Sequence, residues 1–257
     1  MAGWRLPWRA RSRDDEPAGR LGLDFHSHLL PGVDDGMPDY DEARAAILSL
    51  AALGFSGAVL TPHVYKEVFD NDSAALAAAF EGFVKSLAAD GVDFRLHLAA
   101  EYFADENFLR LIERDDLMHV TIGHERWVLL EFPYLQESPY SAVCLSALVA
   151  RGYRPVIAHV ERYRFVAQAP EDWLARFAGA GAVLQGDIGS LVGQYGEPVR
   201  RFASWLAARG LIEIWGTDLH RASQVQRHVV PGLAKLAAAG RPAKAAELNA
   251  VLEGLAA

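Results

Sequence analysis

A chain of 257 residues, 51% of them apolar, can bury a sizeable core in one barrel-sized α/β domain or two small ones. Its formal net charge of −8, from 33 acidic and 25 basic residues, lacks the surplus of Lys and Arg that phosphate backbones demand, which argues against a nucleic-acid partner. A single cysteine, Cys144, excludes a disulfide framework, and no apolar run reaches the ~18 residues of a membrane span, so the expected compartment is the cytoplasm.

Residues 1–20, MAGWRLPWRARSRDDEPAGR, carry five arginines and two tryptophans around an acidic Pro/Gly stretch. They are expected to form a mobile tail outside the fold, with a weak membrane-surface contact as the sharper reading, because Trp and Arg suit an anionic interface. From Leu21 short β-like runs alternate with amphipathic helical ones. LGLDFH precedes the helical DYDEARAAILSLAALG, where Asp39 and Glu42 make a capping-box pattern and Gly54 offers a stop. GAVLTPH, FRLHLAAE, WVLLEF, RPVIAHV, AVLQGDI and LIEIWGTD complete seven predicted strands. Between them lie four further helical stretches, SAALAAAFEGFVKSLAADG, PYSAVCLSALVARG, PEDWLARFAGAG and GEPVRRFASWLAARG, each closing on Gly.

This alternation is the signature of parallel strands joined by helical crossovers, and nothing resembling a linker interrupts it, so residues 21–257 read as a single domain. Regular β-α units favour a closed barrel whose site lies at the C-terminal strand ends. The glycine-rich phosphate loops of open doubly wound sheets are missing.

The potential metal ligands fall almost entirely at those strand ends. His26 and His28 close the first strand, His63 the second, Glu101 the third, Glu131 the fourth, His159 the fifth, and Asp218 with His220 the last. Residues i and i+2 of a strand share a face, so His26 and His28 point one way, as do Asp218 and His220. Asp35, on the loop after the first strand, can reach over them. Five histidines and four carboxylates suffice for three divalent ions if one carboxylate bridges. Such a site keeps a residual charge of about +1 to +2, which suits a phosphomonoester dianion, and it lowers the pKa of a bridging water enough to supply a hydroxide nucleophile. The donor mix suits Mn, Fe, Zn or Co. His119, His124 and His228 are assigned to loops or helices, and His97, which shares strand parity with Glu101, to the core or a supporting position.

The motifs DFHSHLLPGVDDG, LTPH, AAEYF, LLEFP, VIAHVERY and GTDLH run in order from Leu21 to His220. With them the chain resembles the PHP (polymerase and histidinol phosphatase) superfamily, and within it the bacterial metal-dependent tyrosine-protein phosphatases of capsule and exopolysaccharide gene clusters. The resemblance implies a distorted (β/α)7 TIM-like barrel and three metal ions, manganese above all, with Fe, Zn, Co or Mg as alternatives. It assigns one ion to His26, His28, Glu101 and Asp218, a second to Glu101, Glu131 and His159, and a third to Asp35, His63 and His220. It implies phosphotyrosine in a bacterial tyrosine kinase as substrate, and makes Arg162 the cation that holds the phosphoryl oxygens.

Three departures from the family pattern stand out. Its Arg-Pro-Pro after the last strand is replaced by HRASQVQRHVVPG, which leaves Arg221 or Arg227 as substitutes for a second phosphate contact. The usual Asn-Pro near the C-terminus is Asn249-Ala250. Asp187 stands where relatives often carry an uncharged residue, an extra negative charge expected near the rim. Two rival readings remain: a phosphoesterase acting on a small ester such as histidinol phosphate, and a non-catalytic regulatory protein, which predicts missing ligands. A cysteine-based phosphatase needs Cys-x5-Arg, whereas Arg151 follows Cys144 after six residues in a helical run.

Overall fold

The structure, a computed structural model, describes residues 21–239; the Trp/Arg segment 1–20 and Asn249-Ala250 lie outside the described residues. Strand β1 (Leu21–Ser27) is followed by α1 (Tyr40–Ala52), then β2 (Phe55–Leu60) and β3 (His63–Val64). Helix α2 (Ser73–Ala89) leads to β4 (Arg95–Leu98) and β5 (Glu101–Phe103), and α3 (Glu106–Arg114) to the hairpin of β6 (Val120–Ile122) and β7 (Glu125–Glu131). The second half runs α4 (Pro139–Ala150), β8 (Tyr153–Ile157), α5 (Arg164–Gln168), α6 (Pro170–Gly179), β9 (Val183–Asp187), α7 (Glu197–Arg209), β10 (Ile214–Gly216) and α8 (Val230–Ala238).

Helix starts follow their capping residues. The side chains of Asp39, Asp72 and Asp105 accept the backbone N–H three residues on, and Ser138 forms a capping box with Ser141. The capping box expected of Asp39 and Glu42 is only half made. Asp39 accepts from Glu42 N–H at 2.9 Å, but Glu42 turns to accept from Ala222 N–H at 2.9 Å and so ties α1 to the segment after β10.

All seven expected strands are present, with the second and third each split in two. The parallel ladders form two sheets, β1-β2-β4 and β10-β9-β8-β7-β5-β3, with β6 antiparallel on β7. β3 continues β2 beyond a break at Thr61-Pro62, where proline has no N–H to donate. β5 likewise continues β4 beyond Ala99-Ala100. Single bonds bridge the breaks, Ala99 N–H to Leu60 O at 2.9 Å and Glu101 N–H to Pro62 O at 3.1 Å. The architecture is therefore a mixed α/β domain whose parallel strands curl into a half-barrel, a coarser form than an uninterrupted TIM ring. The chain adds α3, α5, α8 and β6 to the expected elements; all are nine residues or fewer, too short for a clear periodic signal.

Strand alternation divides the core. Leu23 and Phe25, Trp127 and Leu129, and Val156 and Ala158 point into an inner apolar cluster, whereas Val128, Leu130 and Ile157 meet the helices in an outer one. The inner cluster plugs the bottom of the curl, and the ligand-type residues lie above it. Gly57 marks a tight point: a Cβ there would collide with the carbonyl of Arg95 and the side chain of Leu23. Gly57→Ala should therefore destabilise the fold by about 2 kcal/mol in urea denaturation; an unchanged midpoint would show that β2 and β4 part freely.

Candidate metal centre

Backbone irregularities turn the strand ends into a site. The β1–β2 register shifts between Asp24 and Ser27, a bulge that lets adjacent residues both face inward. Phe25 packs edge-on against Trp127 in the inner cluster, while His26 turns to Glu101. Beyond β8, His159 takes φ 28°, and beyond β10, Asp218 takes φ 48°. Left-handed backbone at non-glycine residues costs on the order of 1–3 kcal/mol each, and here it aims both side chains at the same mouth. Asp218 N–H donates to His26 O at 2.9 Å and His28 N–H to Leu219 O at 3.1 Å, drawing β1 beside the end of β10. Gly216 permits this approach, since a Cβ there would lie 2.6 Å from that of His26.

The structure brings all nine expected residues together. His26 Nε2 and His28 Nε2 are 3.2 Å apart; Glu101 Oε2 lies 3.2 and 3.4 Å from them, and Asp218 Oδ1 3.4 and 3.3 Å. His159 Nε2 is 3.0 Å from Glu101 Oε1 and 3.5 Å from Glu131 Oε1. His63 faces two ways, with Nδ1 3.3 Å from Glu101 Oε2 and Nε2 3.6 Å from Asp35 Oδ1. His220 Nε2 is 3.4 Å from the same Asp35 oxygen. Three groups can each close around an ion: His26, His28 and Glu101; His63, Glu101 and Glu131; and His28, Asp35, His63 and His220. They overlap the expected sets, with His28 and His63 each reaching a second group.

The electrostatics call for positive charge. Burial opposes charge on His26, yet Glu101 and Asp218 raise it to about 9. Burial, together with the Glu101 charge, pushes Glu131 up to about 8. Glu101 itself, despite burial, is held well below the ordinary carboxylate range by His26, His63 and His159. Burial and the Arg162 charge instead lower His159 to about 4, and burial lowers His63, so protons satisfy only part of the cluster and cations would satisfy the rest. Imidazole and carboxylate donors without thiolate fit Mn, Fe, Zn or Co.

Neighbours orient the imidazoles. Gln185 Oε1 lies 3.1 Å from His26 Nδ1 and accepts the His159 N–H at 2.7 Å. Asp34 Oδ2 lies 2.8 Å from His28 Nδ1 and accepts the His63 N–H at 3.0 Å. His220 Nδ1 donates to Asp218 O at 2.8 Å. With Nδ1 occupied as a donor, Nε2 of each ring offers its lone pair to the mouth. Asp24 is buried behind them and accepts from both Thr217 N–H and Thr217 Oγ1. The DFHSHLLPGVDDG motif offers Asp24 and Asp34 without assigning them a contact, and Gln185 goes unassigned because it falls in the middle of β9 and not at a strand end.

Arg162 stands at the rim. Its Nη1 donates to Asp218 Oδ2 at 2.8 Å, not to Glu161, which turns inward and accepts the Asp187 N–H at 2.9 Å. Arg221 is engaged elsewhere, its Nη1 donating to the carbonyls of Asp35, Gly36 and His220, which fastens the Asp35 loop to the end of β10. Arg227 is exposed on the π-helical turn Val225–Val229.

The rim charge expected of Asp187 needs correction. The residue is wholly buried, and burial together with Asp218 and Glu161 raises its pKa well above the carboxylate range. His97 is half-buried opposite Val59 on β2, and His119 bonds to Leu117 O. Cys144 is buried, and burial pushes its thiol up to about 12, far from a reactive thiolate.

Comparison with known proteins agrees with this geometry. A family model described as capsular polysaccharide synthesis, CpsB/CapC, matches residues 22–239. The chain is 26% identical over 211 residues to tyrosine-protein phosphatase YwqE of Bacillus subtilis (strain 168), covering 82% of each. Its fold is similar to a solved chain among YwqE of Bacillus subtilis and CpsB of Streptococcus pneumoniae, which are metal-dependent tyrosine phosphatases. There the TM-score is 0.78 at 24% identity, covering 91% of this chain and 95% of that one. A solved histidinol phosphate phosphatase of Lactococcus lactis subsp. lactis Il1403 is more distantly similar, with TM-score 0.54 and 16% identity, over 86% of this chain and 94% of that one.

If Asp34 sets the His28 tautomer, Asp34→Ala should weaken manganese binding by about 10–100-fold in a metal titration. Undiminished affinity would mean that His28 needs no such partner.

Proposed function

The chain belongs to the CpsB/CapC family of capsular polysaccharide synthesis, and from that premise we propose that it hydrolyses phosphotyrosine in protein with the help of divalent metal ions. The convergence of five imidazoles and four carboxylates on one mouth, with Arg162 at its edge, carries the reading.

His26, His28, Glu101 and Asp218 would hold one ion, Glu101, Glu131 and His159 a second, and Asp35, His63 and His220 a third, with manganese the favoured metal. When bound, the ions supply Lewis-acid charge to the phosphoryl oxygens and a water of lowered pKa as nucleophile. Three such ions against four carboxylates leave a charge of about +2, matched to a phosphomonoester dianion. Arg162 supplies a further cation fixed beside Asp218, placed to accept charge that builds on the phosphoryl oxygens as the ester bond breaks. For this role we read the two sheets as one distorted seven-stranded barrel; the two backbone bonds between β1 and the end of β10 support that closure. The substrate we infer is the phosphotyrosine-bearing tail of a tyrosine kinase of polysaccharide export, met in the cytoplasm.

The fold likeness to a histidinol phosphate phosphatase favours a second reading, a small alkyl phosphate as substrate. A panel of phosphotyrosine peptide, phosphoserine peptide and histidinol phosphate, assayed with manganese, separates the two. Phosphotyrosine should be preferred, a chelator should abolish turnover, and added manganese should restore it; indifference to both treatments would refute metal dependence. Arg162→Ala should lower kcat/KM by about 10²–10³-fold. Cys144→Ser should leave turnover intact, and its complete loss would return the mechanism to a thiol.

A further inference from the structure

Arg162 does not stand alone at the rim. Its guanidinium carbon lies 4.4 Å from the ring centre of Tyr134 and 4.0 Å from that of Tyr195. Neither tyrosine is free to swing. The Tyr195 hydroxyl donates to Asp218 Oδ2 at 2.9 Å and accepts from Gln194 Nε2 at 2.9 Å. The Tyr134 hydroxyl donates to Glu131 Oε1, and its carbonyl accepts the Arg164 N–H at 2.8 Å. Two rings from two different loops thus cover the guanidinium, and each is pinned by its hydroxyl to a carboxylate of the mouth.

We propose that Tyr134 and Tyr195 are positioning residues that form an aromatic clamp on Arg162 and hold its guanidinium toward a phosphate. An arginine has several soft torsions, and one beside a cluster of buried carboxylates would otherwise fold further onto them than its single bond to Asp218 Oδ2. The π faces of the rings attract the flat cation and restrict its tilt, so that its edge stays available for phosphoryl oxygens. The Asp218 carboxylate shows the division of labour. Its Oδ2 takes Arg162 and Tyr195, while Oδ1 faces His26 and His28. One carboxylate therefore links the phosphate-directed cation to the metal-directed imidazoles, and the clamp keeps the two uses on separate oxygens.

The inference deepens the phosphatase reading and rests on it for the purpose of the clamp, yet it can be tested without turnover. The test titrates inorganic phosphate into manganese-loaded protein by calorimetry, with metal content checked for each variant. Tyr134→Leu combined with Tyr195→Leu should raise the phosphate Kd about tenfold at unchanged metal content. The same pair should add no more than about twofold in an Arg162→Ala background. The paired Phe variants lose the hydroxyl pins but keep both ring faces, and should recover part of the loss, binding phosphate more tightly than the Leu pair. If the paired Leu variant does not fold, Tyr195→Leu alone carries the same comparison. A Leu variant with parental phosphate affinity, an equal further loss without Arg162, or Phe variants as weak as Leu would each overturn the clamp. Failure to hydrolyse any ester would instead overturn the phosphatase reading and leave the phosphate titration to decide this one.

Discussion

One buried carboxylate, that of Glu101, lies within 3.4 Å of four imidazoles: His26, His28 and His63 on one oxygen, His159 on the other. Burying an ionised carboxylate costs several kcal/mol unless opposite charge and hydrogen bonds compensate. The compensation comes from three different strand ends, those of β1, β3 and β8, so Glu101 binds the mouth together only if those strands converge on β5. Without cations the compensating charge has to be protonic, which is why His26 rises to about 9 against its burial, under Glu101 and Asp218. The site is thus a cluster of donors that repel one another until positive charge is placed among them.

The fold meets this demand by relaxing regularity where the strands end. Within the curl, strict alternation sends Leu23, Trp127 and Val156 into a dry inner plug. At the upper ends alternation gives way. A bulge rotates His26 inward beside Phe25, left-handed backbone redirects His159 and Asp218, and the ladder breaks at Thr61-Pro62 and Ala99-Ala100 just before His63 and Glu101. Each irregularity sacrifices ladder hydrogen bonds or backbone comfort, and each sits within two residues of a ligand. The interruptions that keep the sheet from being a continuous ring are therefore also what gathers its side chains.

That pattern explains what could be read from the residues alone. The seven strands were legible because their apolar runs are bounded by Gly and Pro. The nine-residue mouth was legible because parallel strands place their C-terminal ends together whatever the pairing details. The bulge and the β4–β5 split depend on long-range pairing and leave no local mark, whereas Pro62 alone marks the β2–β3 split. Gln185 escaped notice because it lies in the middle of β9, away from the strand ends where ligands gather, and only its oxygen, found between His26 and His159, shows its role. Asp187 looked like a rim charge because hydropathy is blind to burial. Arg221 looked available because its partners are backbone carbonyls of the Asp35 loop, which no side-chain pattern reveals.

The same accounting bears on which ester suits the site. Cleaving an alkyl phosphate leaves an alkoxide that needs a proton as it departs, whereas a phenol, with pKa near ~10, leaves with much less help. The carboxyls around the mouth are already engaged. Glu101 and Asp218 serve imidazoles, Glu131 accepts from Tyr134, Asp35 lies against His63 and His220, and Asp187 and Glu161 are buried behind Arg162. Tyr134 and Tyr195 have their hydroxyls turned to carboxylates, and burial raises both far above any useful acid range. A mouth rich in cationic stabilisation, whose ligand carboxylates face imidazoles or Tyr134 and whose remaining acids, Asp187 and Glu161, are buried, favours leaving groups that need little acid help, which is the physical argument for an aryl phosphate over an alkyl one.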